Sequence, residues 1–376
     1  MCNLVQITHV CYRNIGAIRR YGLDLHKHKN DIAAMDASHI KNSKQDQLTD
    51  QFGRKISYLR LSVTDRCDLR CRYCMAEDMV FLPKQDVLSL EELYDLSRAF
   101  IDRGVRRIRL TGGEPLVRKN IMWLVKALGQ EIETGRLDEV TLTTNGTQLP
   151  LLAQPLFDAG VRRINVSLDT LNAQQFQAIS RRDKLETVLQ GITAAKKAGL
   201  KVKINTVAMR NFNEDEIPDL VTWAAQENCD ITLIETMPLG DVADARENSY
   251  LPLTEVKSTL DKTFELIPSL HRTGGPARYY DLQGSECRLG LITPLTNNFC
   301  DGCNRVRVTC TGRIYMCLGQ DDHVDLRAAL RSDQRDAQLS NALDKAMGLK
   351  PHGHDFAMSN GKMIGKVGRH VSQTGG

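Results

Sequence analysis

The chain has 376 residues, a formal net charge of +4 at pH 7 and 11 cysteines. This length allows one large α/β domain and a smaller unit, and so mild a positive charge does not indicate a nucleic-acid-binding protein, whose domains are usually far more basic. No apolar run approaches the roughly 20 residues needed to span a bilayer, and the N-terminal region has no signal-peptide core. Because most cysteines fall in two tight clusters, they indicate metal ligands in a reducing compartment, and a cytoplasmic enzyme without membrane or nucleic-acid partners is expected.

Residues 1–52 are polar and mixed in charge, and they predict a poorly ordered N-terminal extension that contains Cys2 and Cys11. From Tyr58 onward, β-rich runs alternate with amphipathic stretches. Strands are predicted at 58–63, 105–110, 139–143, 163–168, 201–207 and 231–235. Helices are predicted at 90–103, 119–134, 149–159, 185–197 and 215–227. Ser89 and Glu92 form a capping box that starts the first helix.

Such alternation gives either a doubly wound parallel sheet or a barrel. The chemical motifs all follow the ends of strands, which is the face where barrel active sites assemble. The sequence therefore predicts an incomplete (β/α)6 barrel of the TIM type over residues 53–237. After residue 237, prolines and a glycine pair interrupt the alternation of strands and helices. A C-terminal domain is therefore expected at 238–340 and a tail at 341–376.

The first cysteine cluster follows the first strand and reads CDLRCRYC, with Cys67, Cys71 and Cys74 at CxxxCxxC spacing. Three thiolates on one short loop can hold three irons of a [4Fe–4S] cluster, and no fourth cysteine lies nearby to claim the last iron. An open iron can bind S-adenosylmethionine, so that cofactor and cluster perform the difficult step. Structural zinc, which prefers four ligands and shorter CxxC pairs, and three inert buried thiols are the alternatives.

The second strand ends in Thr111-Gly112-Gly113-Glu114-Pro115. Paired glycines let backbone amides approach a ligand closely, and a carboxylate beside them can take an ammonium group. The third and fourth strands end in Thr143-Thr144-Asn145-Gly146 and Asn165-Val166-Ser167-Leu168-Asp169. Each of these could equally be an ordinary turn.

Cationic side chains alternate on several of the predicted strands. In the fifth strand Lys201, Lys203 and Asn205 share one face. Similar positions in the first two strands hold Arg60, Arg107 and Arg109. If this face lines the mouth of a barrel, we expect it to attract phosphate.

The second cysteine cluster is FCDGCNRVRVTCTGRIYMC, with cysteines at 300, 303, 310 and 317. Arg305 and Arg307 share one face of the strand within it, and Thr311-Gly312 predicts a hairpin turn that returns Cys317 to the CxxC pair. With Cys310 included, the cysteines could form a zinc knuckle, and without it the other three could hold a second open cluster. Cys310 lies on the strand face opposite the two arginines, which favours a buried packing role.

Several strings together carry a family resemblance: YLRLSVTDRCDLRCRYCM, RLTGGEPLVR, TLTTNGT, RRINVSLDT, CDGCNRVRVTCTGRIYMC and the terminal Thr-Gly-Gly. They are similar to the radical SAM GTP 3',8-cyclases of molybdenum cofactor biosynthesis, the molybdenum cofactor biosynthesis protein A family. The resemblance runs from about Gly53 to the last residue. Cys310 is not a ligand in that family, and the N-terminal extension is longer than the family needs.

The resemblance implies a lyase that uses two [4Fe–4S] clusters and S-adenosylmethionine to convert GTP to (8S)-3',8-cyclo-7,8-dihydroguanosine 5'-triphosphate. A 5'-deoxyadenosyl radical would take the ribose 3' hydrogen, and the resulting carbon radical would attack C8 of guanine. The resemblance also implies a homodimer, an external electron donor and delivery of the product to the cyclic pyranopterin monophosphate synthase.

Residue roles follow from the resemblance position by position. The first cluster would be held by Cys67, Cys71 and Cys74, and the second by Cys300, Cys303 and Cys317, with its open iron on the guanine. Contacts to S-adenosylmethionine are implied for Tyr73, Gly113, Ser167 and Met237. Contacts to GTP are implied for Arg60, Arg109, Thr143, Lys203, Arg305, Val306 and Arg307. Catalytic roles are implied for Arg305, Arg307, Gly375 and Gly376, the glycine pair reaching into the active site.

Two other functions remain open. A radical SAM peptide maturase with an auxiliary cluster usually has more cysteines in its C-terminal part, and the Arg-x-Arg pair beside the second cluster favours a polyphosphate instead. A zinc-stapled nucleic-acid-binding protein would need a basic stripe interleaved with aromatic residues, and aromatic residues make up only 5% of this chain.

Overall fold

The computed structural model describes residues 47–240, 246–296, 299–360, 362–365 and 367–375. The described residues all belong to one compact unit. Most of the predicted extension, with Cys2 and Cys11, thus lies outside the described residues.

Residues 47–52 do not behave as a loose extension. Leu48 is fully buried in the apolar core. Its amide donates to the carbonyl of Arg103, and its carbonyl accepts from Ile56. The expectation of poor order up to residue 52 is therefore wrong for these residues, because one leucine in a polar stretch anchors them.

Six parallel strands form the centre of the sheet: β1 (Tyr58–Ser62), β2 (Arg107–Thr111), β3 (Glu139–Thr144), β4 (Arg163–Ser167), β5 (Lys201–Ala208) and β6 (Asp230–Glu235). Helices in the connections are α1 (Leu90–Asp102), α2 (Ile121–Glu133), α3 (Leu149–Asp158), α4 (Ala173–Ser180), α5 (Leu185–Lys197) and α6 (Ile217–Gln226). Short 3₁₀ helices cover Lys84–Asp86 and Pro115–Val117. The strands pair in chain order, as the predicted strand–helix units require.

Local signals explain the helix boundaries. The Ser89 side chain accepts from the Glu92 amide and the Glu92 side chain accepts from the Ser89 amide, so the predicted capping box is present at the start of α1. Gly104 follows this helix with φ 91°, a left-handed conformation that glycine adopts without strain. Helix α4 is absent from the predicted elements, although Asn172 caps it by accepting from the amides of Gln174 and Gln175.

Six further strands extend the sheet: β7 (Leu266–Pro268), β8 (Arg278–Leu282), β9 (Arg288–Ile292), β10 (Arg305–Val308), β11 (Arg313–Tyr315) and β12 (His323–Asp325). The twelve strands form one sheet in the order β12-β11-β10-β1-β2-β3-β4-β5-β6-β9-β8-β7. Both β10 and β9 are parallel to the central strand that they join, β1 and β6 respectively. The sheet is thus continuous across residue 238, and the domain boundary expected there stays a prediction.

The remaining elements are α7 (Arg246–Ser249), α8 (Leu253–Leu260), α9 (Arg327–Leu330), α10 (Arg335–Gly348), β13 (Ala357–Ser359), β14 (Lys362–Ile364) and α11 (Val371–Thr374). One large apolar core lies between the central strands and their helices. Every helix in the described part of the chain is too short or too polar to cross a membrane.

Candidate active site

Two adjoining cavities lie along the central strands. The larger has a volume of about 510 Å³ and the smaller about 180 Å³. Asn205, Ile234 and Met237 line both of them. The smaller cavity is built on residues at the C-terminal ends of the strands, such as Thr111 and Ser167, which is where the sequence places the motifs.

The three cysteines of the first cluster, Cys67, Cys71 and Cys74, line the smaller cavity. Their loop is fixed from two sides. The Asp68 carboxylate accepts hydrogen bonds from Asn145, Thr147 and Gln148 after β3. On the other side, the amides of Arg70 and Arg72 donate to the carbonyls of Ser180 and Ile179 at the end of α4. The ligand loop is therefore held in place by the protein itself.

The environment of Cys67 suits a metal-bound thiolate. Its sulfur accepts from the Leu69 amide at 3.4 Å and from the Asn145 side-chain amide at 3.7 Å. Burial raises the pKa of Cys67 to about 12, and the nearby carboxylate of Glu114 adds to the rise. A thiol in such a place ionises when a cation binds it.

Tyr73 joins the cysteine loop to the sheet. Its hydroxyl donates to Asp169 Oδ2 at 2.8 Å, and Asp169 Oδ1 accepts from the Val207 amide at 2.9 Å. Burial raises the pKa of Asp169 to about 6, although both of these hydrogen bonds favour the charged form. The aromatic ring expected to contact S-adenosylmethionine is thus held by the ends of β4 and β5.

The glycine pair packs closely on the cysteine loop. A Cβ atom on Gly113 would lie 2.3 Å from the Arg66 carbonyl oxygen, so a side chain there would displace the loop. Glu114 is fully buried and accepts from Leu116 N, Thr144 Oγ1 and Asn145 N. Burial raises its pKa to about 7 against these hydrogen bonds. Glu114 supports the neighbouring loop and is not among the residues that line the cavity, and its expected contact with a ligand's ammonium group stays a prediction.

The smaller cavity also has hydroxyl groups suited to a polar ligand. The side-chain oxygens of Thr111, Thr143 and Thr236 are buried and have no hydrogen-bond partner among the described residues. Leaving a buried polar group unpaired costs on the order of 1–3 kcal/mol. Three such hydroxyls beside three thiols fit S-adenosylmethionine bound at an iron–sulfur cluster.

The larger cavity is lined by cations. Arg307, Arg60 and Arg109 lie side by side as register partners across β10, β1 and β2. Lys203 and Arg305 line the same cavity, and among the described lining residues none is an aspartate or glutamate. Arg305 also donates to the Gly274 carbonyl oxygen at 2.8 Å. This arrangement is suited to a polyanion.

Crowding of these cations changes their proton affinity. Burial, and then the charges of Arg307 and Arg109, holds the pKa of Arg60 well below its usual range. Burial and the charge of Arg109 lower the pKa of Lys203 to about 7. The Nε atoms of Arg109 and Arg307 are buried without a hydrogen-bond partner in the described structure. An anionic ligand would supply the missing acceptors and offset the repulsion.

The cysteines of the second cluster, Cys300, Cys303 and Cys317, line the larger cavity beside the arginines. Cys310 lines neither cavity and is only 2% exposed, as its strand position predicts. In the described part of the chain no three His, Cys, Asp or Glu side chains are grouped as ligands of one metal ion. A cluster offers each thiolate an iron of its own and does not need such a group.

The C-terminal tail reaches the smaller cavity. Gly375 lines it with φ 69°, and a Cβ atom there would lie 2.5 Å from Thr111 Oγ1. The tail is anchored by Arg369, which donates to the carbonyls of Gln320 and Leu318 and stacks on Tyr315 at 3.9 Å from the ring centroid. Gly376 lies outside the described residues.

The structure brings most of the predicted residues to the two cavities. Those lining the smaller one are Cys67, Cys71, Cys74, Tyr73, Gly113, Thr143, Ser167, Met237 and Gly375. Those lining the larger one are Arg60, Arg109, Lys203, Met237, Cys300, Cys303, Arg305, Arg307 and Cys317.

Four of the residues singled out in the sequence do not line the larger cavity, and the GTP contacts expected of Thr143 and Val306 stay predictions. Thr143, expected at GTP, lines only the smaller cavity. Val306 is fully buried in the apolar core on the strand face opposite the arginines. Lys201 is exposed, and Arg107 lines neither cavity. In both cases the residue lies too near the N-terminal end of its strand to reach the site.

Sequence reasoning missed the residues that hold the site from behind. Asp169 binds Tyr73, Asp68 binds the loop after β3, and Arg54 donates to the Cys300 carbonyl at 2.8 Å. Lys350 donates to Cys303 Sγ at 3.6 Å. Asp169 could have been found as the acid that ends a strand, whereas no local signal marks Arg54 or Lys350.

Comparison with known proteins agrees with the family resemblance found in the sequence. Residues 61–224 match the radical SAM superfamily, and residues 229–356 match the molybdenum cofactor synthesis C family. The chain is 57% identical over 348 residues to the GTP 3',8-cyclase of Sinorhizobium medicae, covering 92% of this chain and 100% of that relative. It is 60% identical over 330 residues to the GTP 3',8-cyclase of Erythrobacter litoralis, covering 88% and 99% respectively.

A solved structure with a similar fold is that of Streptococcus suis SuiB bound to S-adenosylmethionine. The TM-score is 0.56 at 14% identity, over 88% of this chain and 74% of that chain. At this level of identity the likeness shows the fold alone.

Fold, cysteine loop and family match together define a radical SAM enzyme, which uses S-adenosylmethionine and an iron–sulfur cluster. Its predicted fold class is thereby confirmed. Within this superfamily, the chain belongs to the GTP 3',8-cyclase family, as its relatives establish. The predicted function, a lyase of molybdenum cofactor biosynthesis, is confirmed at the same time.

Proposed function

We propose that this protein converts GTP to (8S)-3',8-cyclo-7,8-dihydroguanosine 5'-triphosphate, with S-adenosylmethionine in the smaller cavity and GTP in the larger. The observation that carries the proposal is a row of cations beside a second set of cysteines, in a cavity with no aspartate or glutamate among its described lining residues. It adjoins the cavity of the first set through Asn205, Ile234 and Met237. A peptide substrate would not require so many cations without a carboxylate.

In the smaller cavity, Cys67, Cys71 and Cys74 hold the first [4Fe–4S] cluster. With S-adenosylmethionine bound, the cluster supplies a 5'-deoxyadenosyl radical for hydrogen abstraction. Tyr73, kept in place by Asp169, packs on the adenine, and Gly113, Ser167 and Met237 complete the cofactor contacts. The backbone beside Gly113 leaves no room for a side chain there.

In the larger cavity, Arg60, Arg109, Lys203, Arg305 and Arg307 bind the triphosphate. Guanidinium groups form paired hydrogen bonds with phosphate oxygens. Because three of the arginines stand on adjacent, hydrogen-bonded strands, the phosphates are fixed with little side-chain freedom to lose. Fixing both ends of GTP brings C3' of the ribose and C8 of the guanine together.

Cys300, Cys303 and Cys317 would hold a second [4Fe–4S] cluster, which would supply an iron site for the guanine. These thiols face the GTP cavity, whereas Cys310 does not, so the fourth position is left to the substrate. A zinc knuckle would instead require Cys310 as a ligand. Val306 lies between the two arginines with its side chain in the core, and its contact with GTP stays a prediction.

Gly375 and Gly376 form a tail that completes the active site after α11, and the position of Gly375 on Thr111 supports this role. We also propose that the enzyme acts as a homodimer in the cytoplasm, draws electrons from an external donor and delivers its product to the cyclic pyranopterin monophosphate synthase.

Anaerobic incubation of the reconstituted protein with GTP, S-adenosylmethionine and a reductant tests the proposal. We expect 5'-deoxyadenosine and the cyclised triphosphate in equal amounts, and about eight irons per chain for two [4Fe–4S] clusters. Deoxyadenosine without consumption of GTP would favour a peptide maturase. One equivalent of zinc with about four irons would exclude the second cluster.

A further inference from the structure

Lys350 is a lysine buried behind the second set of cysteines. It follows α10, and only 1% of its surface is exposed. Its ammonium group donates to Met316 O at 2.8 Å, to Arg305 O at 3.2 Å and to Cys303 Sγ at 3.6 Å. An ammonium has three donors, so these contacts use all of them.

The three acceptors of Lys350 belong to the residues that build the GTP cavity. Cys303 is a proposed cluster ligand, Arg305 a proposed phosphate ligand, and Met316 directly precedes the ligand Cys317. One side chain therefore connects the CxxC pair, strand β10 and the return of the hairpin. A displacement of Lys350 would move metal ligands and a substrate ligand together.

The contact between Lys350 and Cys303 also has an electrostatic role. A buried ammonium is costly unless an anion lies close to it. Neither carbonyl carries a net charge, so the sulfur of Cys303 is the acceptor that becomes anionic when it binds iron. Arg54 joins the two segments that follow Lys350 and precede Cys303, because it donates to the carbonyls of Cys300, Pro351 and His352.

We propose that Lys350 is a positioning residue of the second cluster, donating a charge-assisted hydrogen bond to the Cys303 thiolate and raising the reduction potential of the cluster. Hydrogen bonds to ligand sulfurs and net local charge are among the factors that set such potentials. Because a reduced cluster carries one more negative charge than an oxidised one, a fixed cation stabilises the reduced form. This inference rests on the second cluster of the proposed function.

The test uses full-length protein in which Cys67, Cys71 and Cys74 are all replaced by alanine, so that the second cluster is the only one. Iron and sulfide are counted, and the midpoint potential is measured by redox titration followed by electron paramagnetic resonance. We expect Lys350→Met to lower the potential and to change the spectrum of the reduced cluster. Lys350→Arg, which keeps the charge, should restore most of the shift.

Lys345→Met is the matched control, since Lys345 is an exposed lysine on α10, and its removal should leave the potential unchanged. If Lys350→Met does not assemble a cluster, Lys350→Gln is measured instead, and it should likewise show a lower potential. A wild-type potential in either neutral variant would overturn the inference while leaving the second cluster intact. Absence of iron from the parent protein would overturn the proposed function itself.

Discussion

Arg307 and Arg60 are direct neighbours across the parallel pair of strands β10 and β1. One comes from the second cysteine cluster and the other from the strand that precedes the first cluster. Their guanidinium groups approach in a buried cavity without a carboxylate among its described lining residues, and Arg307 helps to lower the pKa of Arg60. Such repulsion is tolerated where an anionic ligand resolves it, and this relationship leads to the first prediction.

Replacing Arg307 by methionine should weaken GTP binding by about 10- to 100-fold, since a hydrogen bond to a charged group contributes roughly 1.5–3 kcal/mol. The measurement is calorimetric titration of GTP into the reconstituted protein. Arg313→Met, on the next strand at an exposed position, should bind GTP as the wild type does. Unchanged affinity in Arg307→Met would show that the phosphates lie elsewhere.

The pH dependence of GTP binding should report Lys203. Its pKa is lowered to about 7 in the free protein, and a bound polyphosphate raises it. Binding above pH 7 therefore takes up a proton, and the affinity should fall as the pH rises, by up to about tenfold per pH unit. In Lys203→Arg, where the cation stays charged, this decline should disappear.

Titration of the nucleotide itself affects both proteins equally. The difference between the wild type and Lys203→Arg in the pH dependence of GTP affinity therefore reports Lys203 alone. Parallel affinity curves for the wild type and Lys203→Arg between pH 7 and about 9 would rule out this role.

Removing Gly375 and Gly376 should abolish cyclisation while both clusters remain. Gly375→Ala should have a similar effect, because its φ is 69° and its Cβ would meet Thr111 Oγ1 at 2.5 Å. Misplacement by an ångström can reduce a rate about 100-fold. The measurement is product formation at equal iron content.

Gly368→Ala is the control in the same tail, since a Cβ there would meet nothing within 4 Å. Full activity in Gly375→Ala would place the tail outside the reaction.

Replacing Cys310 by alanine should leave the iron and sulfide content unchanged and lower the free energy of unfolding by about 1 kcal/mol. Cys310 is buried away from both cavities, and burial raises its pKa to about 12, as befits a packed thiol. Cys303→Ala should instead reduce the iron content to about half. Loss of metal from Cys310→Ala would support the zinc knuckle.

Local patterns were sufficient to predict the central strands and their helices. The bounds of α5 agree with the predicted 185–197, because its apolar period and the following Gly199 are both local signals. Contact between β10 and β1 could not be predicted, since strand pairing depends on the folding of everything between them. For the same reason, the cysteine and cation sets were predicted as separate groups, and their meeting in adjoining cavities was inferred only from family resemblance.

Errors in the predicted site have physical causes. Alternation along the strand predicts that Lys203 and Lys201 share one face, and Lys203 does line the cavity. Alternation does not show how far along the strand the cavity extends, so Lys201 was assigned to a cavity that it does not line. Glu114 was interpreted by its charge, and its burial and three hydrogen bonds show that it also supports the chain. In the sequence, Lys350 looks like any lysine that follows a helix, because the residues that it contacts are distant in the chain.

Insertion of β10 and β9 beside β1 and β6 has a consequence for synthesis of the chain on the ribosome. Exposed strand edges favour pairing with other chains. The edge of β6 stays bare until Ile292 has emerged, and the edge of β1 stays bare until about Val308 has emerged. The row of arginines is also incomplete until that point. Gly375 lines the smaller cavity, so that cavity is complete only when nearly the whole chain has emerged.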